Sequence, residues 1–311
     1  MNKKAVICIV GPTASGKTGL SIQLAKRING EIISADSMQI YKGLDIATAK
    51  VTKVEMQEVP HHLIDICDID ESFSVADFKD MCYDKIDEII SRNNIPIIVG
   101  GTGLYLSAVV NNMDFPKQEL DTEYREYLYE LAKVKSNEYI YNMLKEVDPK
   151  SAEEIHPNNL KRVIRALEIA KIEGMLKSEH MQNEKNRIVE QDIPYNFYIF
   201  YLDFDRETLY GRINKRVDIM LESGILSEAK KVYDRKLPSN CTCMQAIGYK
   251  EFFPYFEGKI SLEEAVEKLK LETRKYSKRQ ETYFKNKFDL IVLDGKLARE
   301  KQIQIILKDI Q

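Results

Sequence analysis

The 311-residue sequence has no run of uncharged apolar residues approaching the roughly 18 that cross a bilayer, so no membrane partner is expected. Its apolar start lasts only from Ala5 to Val10 before glycine interrupts it, which predicts a buried strand and not a secretory leader. Cysteine is scarce and poorly spaced for metal. The five residues, Cys8, Cys67, Cys82, Cys241 and Cys243, are odd in number and include no C-x-x-C pair and no nearby histidine that would complete a zinc site. They read as reduced thiols of a cytoplasmic protein. Gly (14) and Pro (9) are too few for a collagen-like or low-complexity chain, and no internal repeat is present. A strong charge imbalance is also missing: the formal net charge of −3 gives no overall sign of a nucleic-acid partner.

The charge that is present is segregated. Residues 268–287 hold eight Lys/Arg against two Glu, a net of +6, which leaves −9 on the rest of the chain. Hydrophobic residues at 44% and charged residues at 31% fit a packed globular enzyme of ordinary length.

Apolar, β-branched runs at Ala5–Val10, Glu31–Ala35, Ile95–Val99, Phe197–Leu202 and Leu290–Leu293 alternate with helical patterns, which predicts a mainly parallel sheet covered on both faces. One helix is expected to begin near Gly16. Another starts at Ser74, with Asp77 as a partial capping box and apolar residues at Val75, Phe78, Cys82, Ile86 and Ile89. From Pro116 to about Arg187 the pattern turns charged and helix-forming with no strand signal, so the organisation expected is a core of residues 1–115 and 195–311 with an all-helical insertion over 116–194. A long amphipathic helix from Ser261 to about Lys285 precedes the last strand. Its apolar stripe reads Leu262, Val266, Leu269, Thr273, Tyr276, Tyr283.

Gly11-Pro12-Thr13-Ala14-Ser15-Gly16-Lys17-Thr18 follows the first strand and opens the first helix, the context a phosphate-binding loop requires. Its glycines let backbone N–H groups converge on phosphate oxygens, Lys17 adds a point charge, and the Thr18 hydroxyl suits Mg²⁺. The fold class expected is therefore α/β, a P-loop NTPase-like sheet flanked by helices. The loop sees only phosphates and does not say which ligand carries them. For an NTPase, a strand ending in a Mg²⁺-directing Asp is needed, and Asp36 and Asp294 are the candidates. Asp294 lies far down the chain with no switch sequence after it and reads as a plain strand end. Asp36 ends the strand after the loop's helix, beyond the carboxyl edge where parallel sheets bind ligands. It is either a functional carboxylate, taking a proton or holding Mg²⁺ through water, or a helix cap.

Six stretches in this order carry a resemblance: GPTASGKT, ADSMQIYKGLDIATAKVT, GGTGLY, IHPNNLKRVIRALE, QAIGYKE and TRKYSKRQETYF. They resemble the bacterial tRNA dimethylallyltransferases (tRNA isopentenyltransferases) over nearly the whole chain. The departures are Ala47 where the family has Gly, Asn159 for Asp, Ser277 for Ala and Tyr283 for Trp.

The resemblance implies transfer of a dimethylallyl group from dimethylallyl diphosphate to N6 of the adenosine at position 37 of tRNA, releasing diphosphate. It implies a loop of Gly11 to Thr18 that cradles the diphosphate, assisted by Mg²⁺ on Thr18. Lys17, Thr18 and Arg216 would meet the leaving charge and Asp36 would act as general base. Asp36, Ser37, Met38 and Gln39 would line the pocket of the unstacked adenine, with Thr102 as a further tRNA contact. Lys161, Arg162 and Arg165 in the insertion, and Arg274, Lys278 and Arg279 beside Lys275 and Lys285 on the long helix, are the expected grip on the anticodon stem-loop. Tyr276, Tyr283 and Phe284 either stack on bases or pack inward; helical spacing favours packing. A monomer is expected. The rival readings are an adenylate dimethylallyltransferase acting on free AMP, ADP or ATP, a small-molecule kinase, and a non-enzymatic RNA-binding protein. The insertion and the basic helix argue for tRNA as acceptor. Which tRNAs are modified, and whether the product is later thiolated, is not written in the sequence.

Overall fold

The structure is a computed structural model that describes residues 3–115, 122–173, 176–179, 193–238 and 241–310. The expected ends of the insertion, Pro116 and Arg187, lie outside the described residues. The chain divides into two compact units, Met1–Asn112 with Ile193–Gln311, and Met113–Asp192.

In the first unit six strands, β1 (Lys4–Val10), β2 (Gly30–Ser34), β3 (His61–His62), β4 (Ile95–Gly100), β5 (Tyr195–Asp203) and β6 (Ile291–Asp294), form one sheet in the order β3-β2-β4-β1-β5-β6. Every pairing is parallel. β1 lies between β4 and β5 with helices over both faces of the sheet, which is why its sequence is continuously apolar instead of alternating. Val6, Cys8 and Val10 pack on one side against Phe78, Cys82 and Ile86 of α3 (Val75–Ser91) and against Leu106 and Val109 of α4 (Gly103–Val110). Ile7 and Ile9 pack on the other side against Leu20 and Leu24 of α1 (Lys17–Ile28). A short α2 (Lys53–Met56) follows β2, and α3 begins with the full Ser74–Asp77 capping box.

The second unit has its own core. α5 (Thr122–Val134), α6 (Asn137–Val147), α7 (Pro149–Glu154) and α8 (Leu160–Glu173) enclose Leu128, Ile140, Leu144, Val163 and Leu167. Asp148 holds its chain reversal together, accepting from the N–H groups of Ser151 and Ser178.

The first unit resumes after β5 with α9 (Arg206–Glu222), α10 (Ile225–Asp234), α11 (Phe253–Phe256), α12 (Leu262–Lys287) and α13 (Arg299–Asp309). Three features depart from the sequence reading. β3 is too short to carry a periodic signal. α13 follows the last strand and buries Ile303 and Ile306 under the face of the sheet that carries α1. The fully buried positions of α12 are Ala265, Leu269, Ser277, Gln280 and Phe284, so its inner face passes through two polar residues and not through Tyr276. The five cysteines are free, and burial raises the Cys8 and Cys82 thiols above their ordinary range. No helix among the described residues is long and apolar enough to cross a membrane.

Candidate active site

The loop after β1 takes its shape from residues in the left-handed region: Gly11 at φ 145°, Ala14 at 62° and Gly16 at 90°. Gly11 passes against β5, where a Cβ would stand 3.0 Å from the Leu202 carbonyl oxygen. Lys17 Nζ donates to the carbonyls of Gly11 (2.9 Å) and Pro12 (2.8 Å). The Ser15 hydroxyl is buried without a hydrogen-bond partner, an orphan at the centre of a loop built for oxyanions.

Guanidinium groups surround this loop. Arg216 of α9 donates from Nη1 to Thr13 Oγ1 (3.2 Å) and from Nη2 to the Thr48 carbonyl (3.4 Å). Arg212, one turn earlier, donates to the Ala14 carbonyl at 2.6 Å, and Arg299 of α13 lies so close that a Cβ on Gly16 would be 2.6 Å from it. Burial, then the charge of Arg216, lowers Lys17 to about 7, with Asp36 opposing the shift. That depression comes first from the loss of water around Lys17 and second from the neighbouring guanidinium.

Asp36 ends β2. Its Oδ1 accepts from the Met38 N–H at 2.9 Å, so it caps its own turn; its charge also reaches the cavity, where it favours the ionised form of Lys17 and of Arg216. No helix follows it directly, so the cap expected of Asp36 is a turn contact with Met38 and not a helix cap. Gln39 is oriented from both ends, its Oε1 accepting from Ser34 Oγ (3.3 Å) and its Nε2 donating to the Thr48 carbonyl (3.2 Å).

A cavity of about 490 Å³ gathers Thr13, Lys17, Thr18, Asp36, Gln39 and Arg216 onto one surface, with Ile32, Val51 and Val99 as apolar lining. Ser37, Met38 and Thr102 stand outside that lining. Thr102 Oγ1 accepts from the Ser37 N–H at 3.1 Å next to Asp36, and Met38 packs into the cluster around Ile40 and Tyr249.

α12 closes the site through residues that the sequence reading passed over. Gln280 accepts from the Thr13 N–H (2.8 Å) through Oε1 and donates to the Gly101 carbonyl (3.0 Å) through Nε2, tying the phosphate loop to the glycine turn after β4. A Cβ on Gly101 would fall 2.2 Å from that same amide nitrogen. Tyr276 lines the cavity with its hydroxyl toward Thr102 and Gln280; burial and Asp36 push it above the ordinary phenol range. Tyr283 lies against Gly103 and meets Ser107 Oγ at 3.0 Å, while Phe284 is core. The packing alternative therefore holds for Phe284 and Tyr283, and Tyr276 belongs to the site. A glutamine in phase with a buried stripe was the available signal for Gln280, since such a group needs partners on both ends of its amide.

The expected tRNA contacts divide. Lys278 and Arg279 are exposed; Lys278 pairs with Glu281 (3.1 Å) and Arg279 stands 5.8 Å from the Tyr276 ring. Arg274 donates to Asn214 Oδ1 at 2.7 Å. All three line a groove of about 480 Å³ that Arg206 and Tyr210 of α9 complete, two residues that the long helix alone did not suggest. In the second unit Lys161 and Arg162 are exposed, whereas Arg165 is half-buried and donates to Glu168, a fully buried carboxylate shared with Arg125. Arg165 therefore balances a core charge on its own helix.

A glycine-shaped loop between β1 and α1 of a parallel α/β sheet, with a carboxylate just beyond the next strand facing the same cavity, is the architecture of a P-loop-like enzyme. Residues 39–287 match the family described as IPP transferase. The chain is 49% identical over 292 residues to the tRNA dimethylallyltransferase of Bacillus subtilis (strain 168), covering 94% of this chain and 91% of that one. It is 49% identical over 303 residues to the tRNA dimethylallyltransferase of Bacillus anthracis, covering 96% and 95%. Among solved structures it superposes on the tRNA isopentenylpyrophosphate transferase of Bacillus halodurans with a TM-score of 0.73 and 46% identity, covering 99% and 96%. A eukaryotic dimethylallyltransferase acting on tRNA gives a TM-score of 0.81 at 33% identity, covering 99% of this chain and 79% of that one. The chain belongs to the IPP transferase family.

Proposed function

We propose that this protein is a tRNA dimethylallyltransferase of the cytoplasm: it moves the dimethylallyl group from dimethylallyl diphosphate to N6 of adenosine 37 in the anticodon loop, releasing diphosphate. The observation that carries the reading is the single cavity in which Lys17, Thr18 and Arg216 meet Asp36 and Gln39. In a phosphotransferase the acceptor attacks phosphorus and a phosphoryl group is carried to it. Here the phosphates belong to the leaving group, and the carboxylate serves the acceptor.

Adenine N6 attacks C1 of the allylic chain, the C1–O bond breaks, and its electron pair leaves with the diphosphate. Asp36 takes the N6 proton. Lys17, the loop amides and the two-point guanidinium of Arg216 meet the charge that grows on the departing oxygens. The orphan Ser15 hydroxyl and the exposed Thr18 hydroxyl fit Mg²⁺ held mainly by phosphate oxygens and water, since no cluster of three acidic or thiol/imidazole ligands exists among the described residues. Bound there, Mg²⁺ would neutralise diphosphate charge. The exposed Lys161, Arg162, Lys278 and Arg279, with the α9–α12 groove, suit the phosphates of the anticodon stem-loop.

The test supplies labelled dimethylallyl diphosphate with either unmodified tRNA or AMP. Label in tRNA alone is expected; label in AMP alone would transfer the reading to the free-adenylate enzymes. Asp36→Ala should lower kcat by at least about 10²-fold, as loss of a general base does, with tRNA affinity unchanged.

A further inference from the structure

One wall of the cavity is the loop 44–50, which contributes Thr48 and Lys50 to the lining. A carboxylate far away in sequence organises it. Glu228, on the first turn of α10, accepts from three consecutive backbone N–H groups: Asp45 and Ile46 on Oε2 (3.0 and 2.9 Å), Ile46 and Ala47 on Oε1 (both 3.0 Å). A fourth donor, the Tyr249 hydroxyl, reaches Oε1 at 2.8 Å. Glu228 is 8% exposed and Tyr249 0%, and no ion pair to Glu228 is present among the described residues. Burial, with the Glu228 charge beside it, raises the Tyr249 phenol, which keeps it a donor.

The neighbouring turn is fitted to the same loop. Gly248, at φ 105°, passes so near Ala47 that a Cβ would stand 2.5 Å from the alanine methyl. The far end of the loop is fixed by Lys50, whose Nζ reaches the Tyr41 carbonyl, Asp45 and Asp65.

What this fixation leaves in place is the carbonyl of Thr48. It is the shared acceptor of Gln39 Nε2 and Arg216 Nη2, one group at the proposed adenine end of the site and one at the diphosphate end. We infer that Glu228, with Tyr249, is a positioning residue for prenyl transfer, setting Gln39 and Arg216 through the backbone of residues 45–48. The inference rests on the roles proposed above for those two residues. Glu228→Gln keeps the shape but turns one oxygen into an N–H donor facing N–H donors, so at least one of the three amides loses its acceptor and the Thr48 carbonyl moves. Displacements near 1 Å at a reacting centre can cost about 10²-fold.

The experiment is a double-mutant cycle on the full-length protein, with Glu228→Gln and Tyr249→Phe each made in the native chain and in Arg216→Gln. In the native background kcat/KM for dimethylallyl diphosphate should fall about 30-fold for Glu228→Gln and about fivefold for Tyr249→Phe, with tRNA affinity in filter binding unchanged. In the Arg216→Gln background each further loss in kcat/KM for dimethylallyl diphosphate should shrink below about threefold, because the diphosphate-side group of the two they position is already gone. Equal losses in both backgrounds, or losses that disappear at a temperature well below each variant's Tm, make Glu228 a structural staple only and overturn the inference. If Glu228→Gln does not fold, Tyr249→Phe, which leaves the three amides satisfied, carries the cycle. Full activity of Arg216→Gln alone would remove the site reading and this inference together; a loss there with additive cycles overturns the inference alone.

Discussion

The phosphate loop and the loop 44–50 line the same cavity but are made rigid by different means. Residues 11–18 shape themselves: glycines at positive φ turn the chain, and Lys17 folds back onto carbonyls five and six residues away. Residues 44–50 contain one glycine-free turn whose geometry is imposed from α10 by Glu228, more than 180 positions later. The first design makes its shape from its own backbone and so needs few side chains from elsewhere. The second holds a wall whose orientation depends on one buried carboxylate.

The sharpest way to break the comparison is at the self-made loop. Lys17→Met removes the charge that meets the leaving diphosphate and should lower kcat about 10²- to 10³-fold in single-turnover prenyl transfer, with tRNA binding unchanged. A loss below tenfold would mean that Arg216 and the loop amides suffice without it. The next largest effect concerns the one place where the phosphate loop also borrows from afar. Gln280→Leu strands the Thr13 N–H and the Gly101 carbonyl, and should cost about 2 kcal/mol in denaturant unfolding. Unchanged stability would show that the loop stands without its strap.

The smallest effect is in pH. Lys17 sits near 7 in the free protein because burial and Arg216 disfavour its charge. A bound diphosphate favours the charged form and raises that value, so affinity for inorganic diphosphate should be complete below about pH 7 and weaken as pH rises above it. Calorimetry in buffers of different ionisation enthalpy should register proton uptake near pH 8, and Lys17→Arg should lose the Lys17 share of it. Identical proton uptake in native and Lys17→Arg protein would overturn the assignment.

The sequence was legible wherever structure is local. Five of the six strands, the capping box at Ser74 and the loop-to-helix junction at Gly16 are decided by neighbours in the chain, and they stand where periodicity and turn chemistry put them. Lys17 and Asp36 were readable from the loop motif and the strand after it, whereas Gln39 and Arg216 were accessible only through resemblance, because spacing alone says nothing about how α9 reaches the phosphate loop. Gln280 and Glu228 were hidden for a physical reason. A glutamine in a basic helix, or a glutamate in a helix's first turn, reads as an ordinary solvated residue or a favourable dipole partner until long-range packing places backbone donors around it. Arg165 shows the converse: a cation beside an apolar stripe looks like a nucleic-acid contact until a buried Glu168 appears beneath it.

The Thr13–Gln280 hydrogen bond joins positions 267 residues apart. During synthesis the chain therefore emerges with its anion-binding motif first and the strap for that motif among the last helices. β1 waits for β5 as its second neighbour, and β5 is made only after the whole helical unit has been synthesised. The smaller unit, a run of sequence-local helices, is free to fold while the sheet on either side of it in the gene is still incomplete. A nascent chain cut anywhere between Thr18 and Gln280 carries every residue of GPTASGKT and no finished site.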